Sequence, residues 1–520
     1  MTNPIVEFAA GAALALAAWL IPRRVAGTRL AARPALLIDL APVLLAALLL
    51  MIVSRRPIFS GLVLLSLGAG FALADQTKRE AVREPVVFSD MSELPHVFTH
   101  PQLYLPFAGP GLVIGGAFAA FAFAVALLCL ETPLWPADPL AALFVTLFAG
   151  AAVWALSREP GLGLAAATLR RLGAIGEPFA DAARLGPFAS LLVYGIIARA
   201  ERTIRRARHA VLPTPAVITA APAVPLVLVQ CESFFDARRL SPSVPADLLP
   251  GFDACRRAGA TYGRLDVAGW GANTMRAEFA VLTGISDNGL GYDRFNPYHA
   301  FARAPLASLA RRLRAEGYRT LCLHPFDRGF FRRDLTIPAL GFEQFLDRQT
   351  LGGSSRPPYC SDPDLAHQVL RVLGETGPRS FIFVITMGNH GPWRETGPEI
   401  DPALRRRFDA ANVPQGGALL RYLDGLARSD AMLQILLDGL GSHRPECLLG
   451  FYGDHVPSLP QAFRHFGFDE WASDYLLLDG VMRPAQRLDL PAYRLPQLIL
   501  DRLHQRGAIG GRAQLALGAA

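Results

Sequence analysis

Leu226-Val227-Leu228-Val229-Gln230-Cys231-Glu232-Ser233 is an apolar run of strand length that ends on a carboxylate. Four runs of the same kind follow: Arg319 to Leu323, Phe381 to Thr386, Cys447 to Tyr452 and Tyr475 to Leu478. Helical patterns lie between several of them, Leu306 to Glu316, Asp364 to Leu373 and Ala418 to Leu440. Strands apolar throughout, alternating with helices, predict an α/β domain whose mostly parallel sheet is covered by helices on both faces. In such open sheets ligands collect beyond the carboxyl ends of the strands. The residues just after each run therefore carry the functional information.

Upstream of Pro225 the chain changes character. Ile5 to Ile21, Ala35 to Val53, Ile58 to Ala74, Gly111 to Leu130 and Pro139 to Leu156 are each apolar, with Glu7 and Asp39 as blemishes. Each approaches the ~20 residues that cross a bilayer. Five in series predict an α-helical membrane module over residues 1–156, and the 52% hydrophobic content fits no ordinary soluble enzyme. Residues 157–222 read as a connector. In it Pro187 to Ala200, followed by Arg202, Arg205, Arg206 and Arg208, suggests a helix in the membrane interface, with a short sixth span as the competing reading. Pro213, Pro215, Pro222 and Pro225 suggest a stiff extended linker. The α/β domain then occupies 223–520.

Net charge is +7 and the isoelectric point near 9.3. The arginines are scattered, without a basic block or interleaved aromatics. That argues against nucleic acid and for a membrane surface or anionic headgroup. An external C-terminal domain after five spans needs a cytoplasmic N-terminus. Arg55 and Arg56 in the second loop agree, whereas Arg23, Arg24, Arg29 and Arg33 in the first and Lys78, Arg79 and Arg83 in the third oppose it. The six cysteines show no zinc-type spacing, and spacing leaves their pairing open.

At the strand ends the first run leads to Glu232, the second to His324, the third to Asn389-His390-Gly391-Pro392 and the fourth to Gly453-Asp454-His455. A further segment, Gly271-Ala272-Asn273-Thr274-Met275-Arg276-Ala277-Glu278-Phe279, passes from a Gly-containing turn into an apolar helix pattern. Thr274 at that start is either an N-cap or a nucleophile set where a helix N-terminus stabilises phosphate charge. As a nucleophile it needs a metal or base to lower its pKa. Glu232, Asp454 and His455, with Thr274 as a hydroxyl ligand, form an oxygen and nitrogen set suited to Mn²⁺, Mg²⁺ or Zn²⁺. His324 and His390 are then candidates to hold a phosphoryl oxygen and protonate a leaving alcohol. Arg333, in Arg328-Gly329-Phe330-Phe331-Arg332-Arg333, is a candidate phosphate clamp, with a solvated face as the bland reading for Arg332 and Arg333. Phe331 and Trp393 read as packing.

These motifs resemble the lipoteichoic acid synthase and phosphoglycerol transferase family of the alkaline phosphatase/sulfatase superfamily. Cys231-Glu232-Ser233, the Asn273-Thr274 and Glu278-Phe279 turn, Asn389-His390-Gly391-Pro392 and Gly453-Asp454-His455 carry the resemblance. Phe331 stands where the family often has Trp. Gly388 is closer in style to the Gram-negative glucan-modifying phosphoglycerol transferases. The resemblance implies Thr274 as nucleophile, and Glu232, Thr274, Asp454 and His455 as ligands of one divalent cation, Mn²⁺ first, with Mg²⁺ or Zn²⁺ as alternatives. It implies His324, Arg333 and His390 as substrate contacts, phosphatidylglycerol as donor, and a carbohydrate or glycolipid hydroxyl as acceptor. It also implies a multi-pass inner-membrane protein whose catalytic domain faces the periplasmic or extracellular side.

Phosphoethanolamine transfer is the main enzymatic alternative. No C/S-x-P-x-R sulfatase motif surrounds Thr274, and a two-metal phosphatase needs more ligands than these. A hydrolase of the superfamily and a non-enzymatic membrane-anchored binding protein complete the set. The last of these would be expected to lack one of Glu232, Thr274, Asp454 or His455, and all four are present.

Overall fold

The computed structural model describes residues 3–29, 33–210, 224–351, 360–393, 400–443, 446–481 and 483–509, in two compact units divided after Thr203. Pro213, Pro215 and Pro222 lie outside the described residues.

The first unit is helical. Among the described residues five helices, Pro4–Val25, Pro34–Ser54, Pro57–Val82, Pro110–Leu130 and Pro139–Leu156, are long and apolar enough to cross a membrane. Their large side chains point outward; Phe118, Phe144 and Leu147 are all more than half exposed, as lipid-facing residues would be. The chain is an integral membrane protein. Small residues let its helices approach: a Cβ on Gly11 or Gly61 would fall within 2.5 Å of the facing backbone. The charge at Asp39 is paired. Asp39 accepts hydrogen bonds from Trp19 Nε1 (2.8 Å), Arg23 Nη1 (2.6 Å) and the Ala189 amide (3.0 Å). The segment expected to be an interfacial helix is helical over Pro187–Arg208. Its apolar side does not lie open to lipid, however. Ala189, Val193, Tyr194 and Ile197 are buried, and Phe188 packs on Phe71. Protein covers the stripe that the sequence reading gave to the membrane interface.

Among the described residues the second unit is built on nine strands: β1 Leu226–Cys231, β2 Thr261–Asp266, β3 Arg319–Leu323, β4 Gln344–Leu346, β5 Ser380–Ile385, β6 Leu448–Gly453, β7 Ser473–Leu478, β8 Gln486–Arg487 and β9 Leu490–Pro491. Their order is β4-β3-β5-β1-β6-β7-β2-β8, with β9 also on β2. The five strands from β4 to β6 are parallel, and β7 runs antiparallel to both its neighbours. Period-2 alternation sends Val227, Val229, Ile382, Val384, Leu449 and Phe451 into one core. Leu226, Leu228, Phe381, Phe383 and Leu448 enter the other. Helices Asp362–Thr376 and Gly416–His443 cover the first face, and Thr274–Thr283 and Leu495–Gln505 the second. Burial on both faces is why these strands read as unbroken apolar runs. Parallel pairing sets the carboxyl ends of β3, β5, β1 and β6 along one edge of the sheet.

Candidate active site

Glu232 and Ser233 leave β1 in a turn with Ser233 in the left-handed region (φ 55°). Asp454 and His455 leave β6, its neighbour. The backbone amide of Ser233 donates to Asp454 Oδ1 (2.8 Å) and its hydroxyl to Glu232 Oε1 (2.9 Å), so one residue fixes both carboxylates. The Glu232 amide donates to Thr386 Oγ1 (3.0 Å) at the end of β5. Gly453 is obligatory: a Cβ there would lie 1.8 Å from the Phe234 carbonyl oxygen.

Glu232, Asp454 and His455 present ligand atoms within 4.8 Å of one another. His455 Nε2 lies 3.6 Å from Glu232 Oε1 and 3.3 Å from Asp454 Oδ2. His455 Nδ1 faces the Val456 carbonyl (3.0 Å) and so holds the proton, leaving the Nε2 lone pair turned into the cluster. Thr274 Oγ1 is 3.5 Å from the same Nε2. Such separations suit four atoms around one ion at ~2 Å each. The fit to a divalent cation rests on an orphan: Asp454 Oδ2 is buried with no hydrogen-bond partner. Burial, and then the Asp454 charge, push the Glu232 carboxyl up to about 8. Two buried carboxylates side by side are costly unless a cation offsets them.

Thr274 is the first residue of helix Thr274–Thr283, and Asn273, left-handed at φ 70°, occupies the cap position. The N-cap reading of Thr274 therefore fails; its hydroxyl turns to the cluster. Beyond β3, His324 is wholly buried. Its Nδ1 faces the Ile385 carbonyl (3.3 Å) and its Nε2 accepts from Arg333 Nη1 (3.2 Å). Burial, reinforced by the Arg333 charge, drives its pKa well below the usual histidine value. An uncharged His324 engaged at both nitrogens holds Arg333, which is a different task from protonating an alcohol. Arg333 is itself 1% exposed, so the solvated-face reading fails for it, whereas Arg332 is exposed.

His390 follows β5 and is partly exposed, with Nδ1 toward the Gly391 carbonyl (2.5 Å); burial lowers its pKa. Its loop is pinned on three sides. Asp362 Oδ1 accepts from the Gly388 amide (3.0 Å), Trp393 Nε1 donates to Asn389 Oδ1 (3.0 Å), and Asn389 Nδ2 reaches the Tyr422 carbonyl (3.4 Å). Glycine at 388 has a local cause, since a Cβ would meet Asp362 Oδ1 at 2.4 Å. Trp393 thus packs and locks the loop. Phe331 packs on Phe330, with centroids 4.2 Å apart.

Sequence reasoning gave no individual role to Asp362, Tyr298, Gln230 or Glu278. The available signal was Glu278, a carboxylate inside an otherwise apolar helix pattern.

Fold and site together define an α/β domain of alkaline phosphatase/sulfatase type on a chain with membrane-length helices. The sulfatase family model matches residues 226–484, just under half of the chain, and over those residues the chain is similar to that family. It is similar to the capsular polysaccharide biosynthesis protein RkpI of Rhizobium meliloti, at 29% identity over 78% of this chain and 75% of that one. It is also similar to a putative cyclic beta-1,2-glucan modification protein of the same organism, at 28% identity over 50% of this chain and 40% of that one. Among solved structures, the integral membrane lipooligosaccharide phosphoethanolamine transferase A (EptA) of Neisseria meningitidis shares the fold. That match has 14% identity and a TM-score of 0.57, and covers 98% of this chain and 96% of that one.

Proposed function

We propose that this protein is a metal-dependent transferase that moves phosphoglycerol from phosphatidylglycerol, through a covalent Thr274 ester, to a hydroxyl of a carbohydrate or glycolipid. The observation that carries the reading is Thr274 Oγ1 at 3.5 Å from His455 Nε2, beside the unpartnered Asp454 Oδ2. Glu232, Thr274, Asp454 and His455 would hold one divalent ion, Mn²⁺ in the first instance, which lowers the pKa of the threonine hydroxyl when bound. In the first half-reaction a bond forms from Thr274 Oγ1 to phosphorus and the bond to diacylglycerol breaks. The proton lost by Thr274 is matched by the one gained by the leaving alcohol. In the second, the acceptor oxygen attacks phosphorus, the bond from phosphorus to Thr274 Oγ1 breaks, and the proton lost by the acceptor is regained by Thr274. His390, whose pKa lies below the ordinary histidine value, is the base assigned to the acceptor's proton. Arg333 supplies the fork to the phosphoryl oxygens.

The motif resemblance and the relative described as a glucan modification protein support phosphoglycerol and a glycan acceptor. The membrane-length helices suit a donor whose acyl chains stay in the bilayer. The test is diacylglycerol release by the purified full chain with Mn²⁺, offered phosphatidylglycerol or phosphatidylethanolamine. Release from phosphatidylglycerol, abolished by chelator and by Thr274→Ala, is expected. Release from phosphatidylethanolamine alone would transfer the assignment to phosphoethanolamine, and undiminished release by Thr274→Ala would remove the mechanism.

A further inference from the structure

Glu278 is wholly buried and ligates nothing in the cluster described above, yet both of its oxygens are occupied. Oε1 accepts from Arg333 Nε (3.2 Å) and from the Tyr298 hydroxyl. Oε2 accepts from Arg333 Nη2 (2.8 Å) and Gln230 Nε2 (3.0 Å). Gln230 is held in turn by the Tyr452 hydroxyl at its Oε1 (2.6 Å). The pairing with Arg333 is therefore a two-point fork inside a fully bonded polar network.

Two further facts make this more than a buried ion pair. Glu278 stands four residues after Thr274 on the same helix, so the two side chains share a face about 6 Å apart along the axis. In addition, Phe331 (φ 55°) and Arg332 (φ 58°) both adopt the left-handed conformation that non-glycine residues avoid. The chain makes this turn directly before Arg333, which is buried facing Glu278. Of the five N–H hydrogens on the guanidinium, Glu278 takes two and His324 one. One on each terminal nitrogen has no partner among the described residues, a pair matched to two oxygens of a phosphoryl group.

We propose that Glu278 is the positioning residue for Arg333, so that a single helix sets the separation between the attacking hydroxyl and the guanidinium that holds the phosphoryl group. The inference rests on the proposed function only in assigning Arg333 to phosphate, and it is indifferent to which headgroup the donor carries.

The test is a double-mutant cycle on the full-length, Mn²⁺-loaded protein, with inorganic phosphate as the probe in calorimetry. Glu278→Gln keeps shape and removes charge. It is expected to weaken phosphate binding about ten-fold, as far as Arg333→Ala does. The double variant is expected to bind no more weakly than either single one, and Mn²⁺ affinity is expected to stay unchanged throughout. With phosphatidylglycerol, kcat/KM of Glu278→Gln should fall about 10²-fold. Unchanged phosphate affinity in Glu278→Gln, or losses that multiply in the double variant, would overturn the proposal. If Glu278→Gln does not fold, Gln230→Leu strips one donor from Glu278 and leaves its charge. Weakened phosphate binding with intact Mn²⁺ binding is then expected, and no change overturns the proposal. Inert phosphatidylglycerol alongside a non-additive phosphate cycle would sink the donor assignment and leave this one standing.

Discussion

His324 shows how far one residue's surroundings decide its task. The imidazole has a carbonyl on Nδ1 and a guanidinium on Nε2, and burial holds its pKa well below the usual histidine value. Its folded pKa lies below its unfolded one, so between the two the unfolded chain binds more protons. Stability contributed by the neutral ring is present above pH ~6.5 and lost as pH falls below it. The expected result is a denaturant midpoint that drops from pH 7 to pH 5, and a shallower drop in His324→Gln. Equal slopes in the two proteins would contradict the buried neutral ring. The clustering of the candidate ligands Glu232, Asp454 and His455 was legible in sequence because each follows an apolar run that sets it at the sheet edge. Glu278 was quoted within a motif and given no role. Its partners Gln230, Tyr298 and Arg333 are scattered over more than a hundred positions, and only the fold brings them together.

At the scale of elements, helix Gly416–His443 shapes the site without contributing a ligand. Gly425 on that helix lies so close to the His390 loop that a Cβ would fall 2.0 Å from Asn389 Oδ1. That oxygen is held by Trp393, so the added methyl must displace the loop. Gly425→Ala is expected to lower kcat/KM up to about 10²-fold through the shifted His390, with Mn²⁺ affinity unchanged. Full activity would show that the loop yields freely. The five strands read from the sequence are the ones buried on both faces. β2 was missed because Gly263 and Arg264 interrupt it and its burial alternates. β4, β8 and β9 are two or three residues long and exist through their neighbours' hydrogen bonds rather than through a pattern of their own.

Over the whole molecule, the placement of charge bears on sidedness. Seven cations in the first and third loops oppose an external catalytic domain, but at least three of them have internal partners among the described residues. Arg23 is tied to Asp39, Lys78 to Glu84 and Asp90, and Arg79 to Asp75. Cations fixed by such pairing serve the fold and are weaker reporters of orientation than exposed ones. We therefore retain the proposal that the α/β domain lies outside the cytoplasm, where an envelope acceptor would be met. Protease added to intact spheroplasts should then cleave the α/β domain while cytoplasmic markers survive. A domain protected until the membrane is lysed would reverse the orientation.

The central claim is that Thr274 becomes the attacking group. Its most direct measurement is the mass of the Thr274-containing peptide after brief incubation of the intact protein with Mn²⁺ and phosphatidylglycerol, quenched in acid. A phosphoglycerol adduct on Thr274, absent with chelator and absent in Asp454→Asn, is the predicted result. An unmodified Thr274 in protein that is turning over donor would contradict the account.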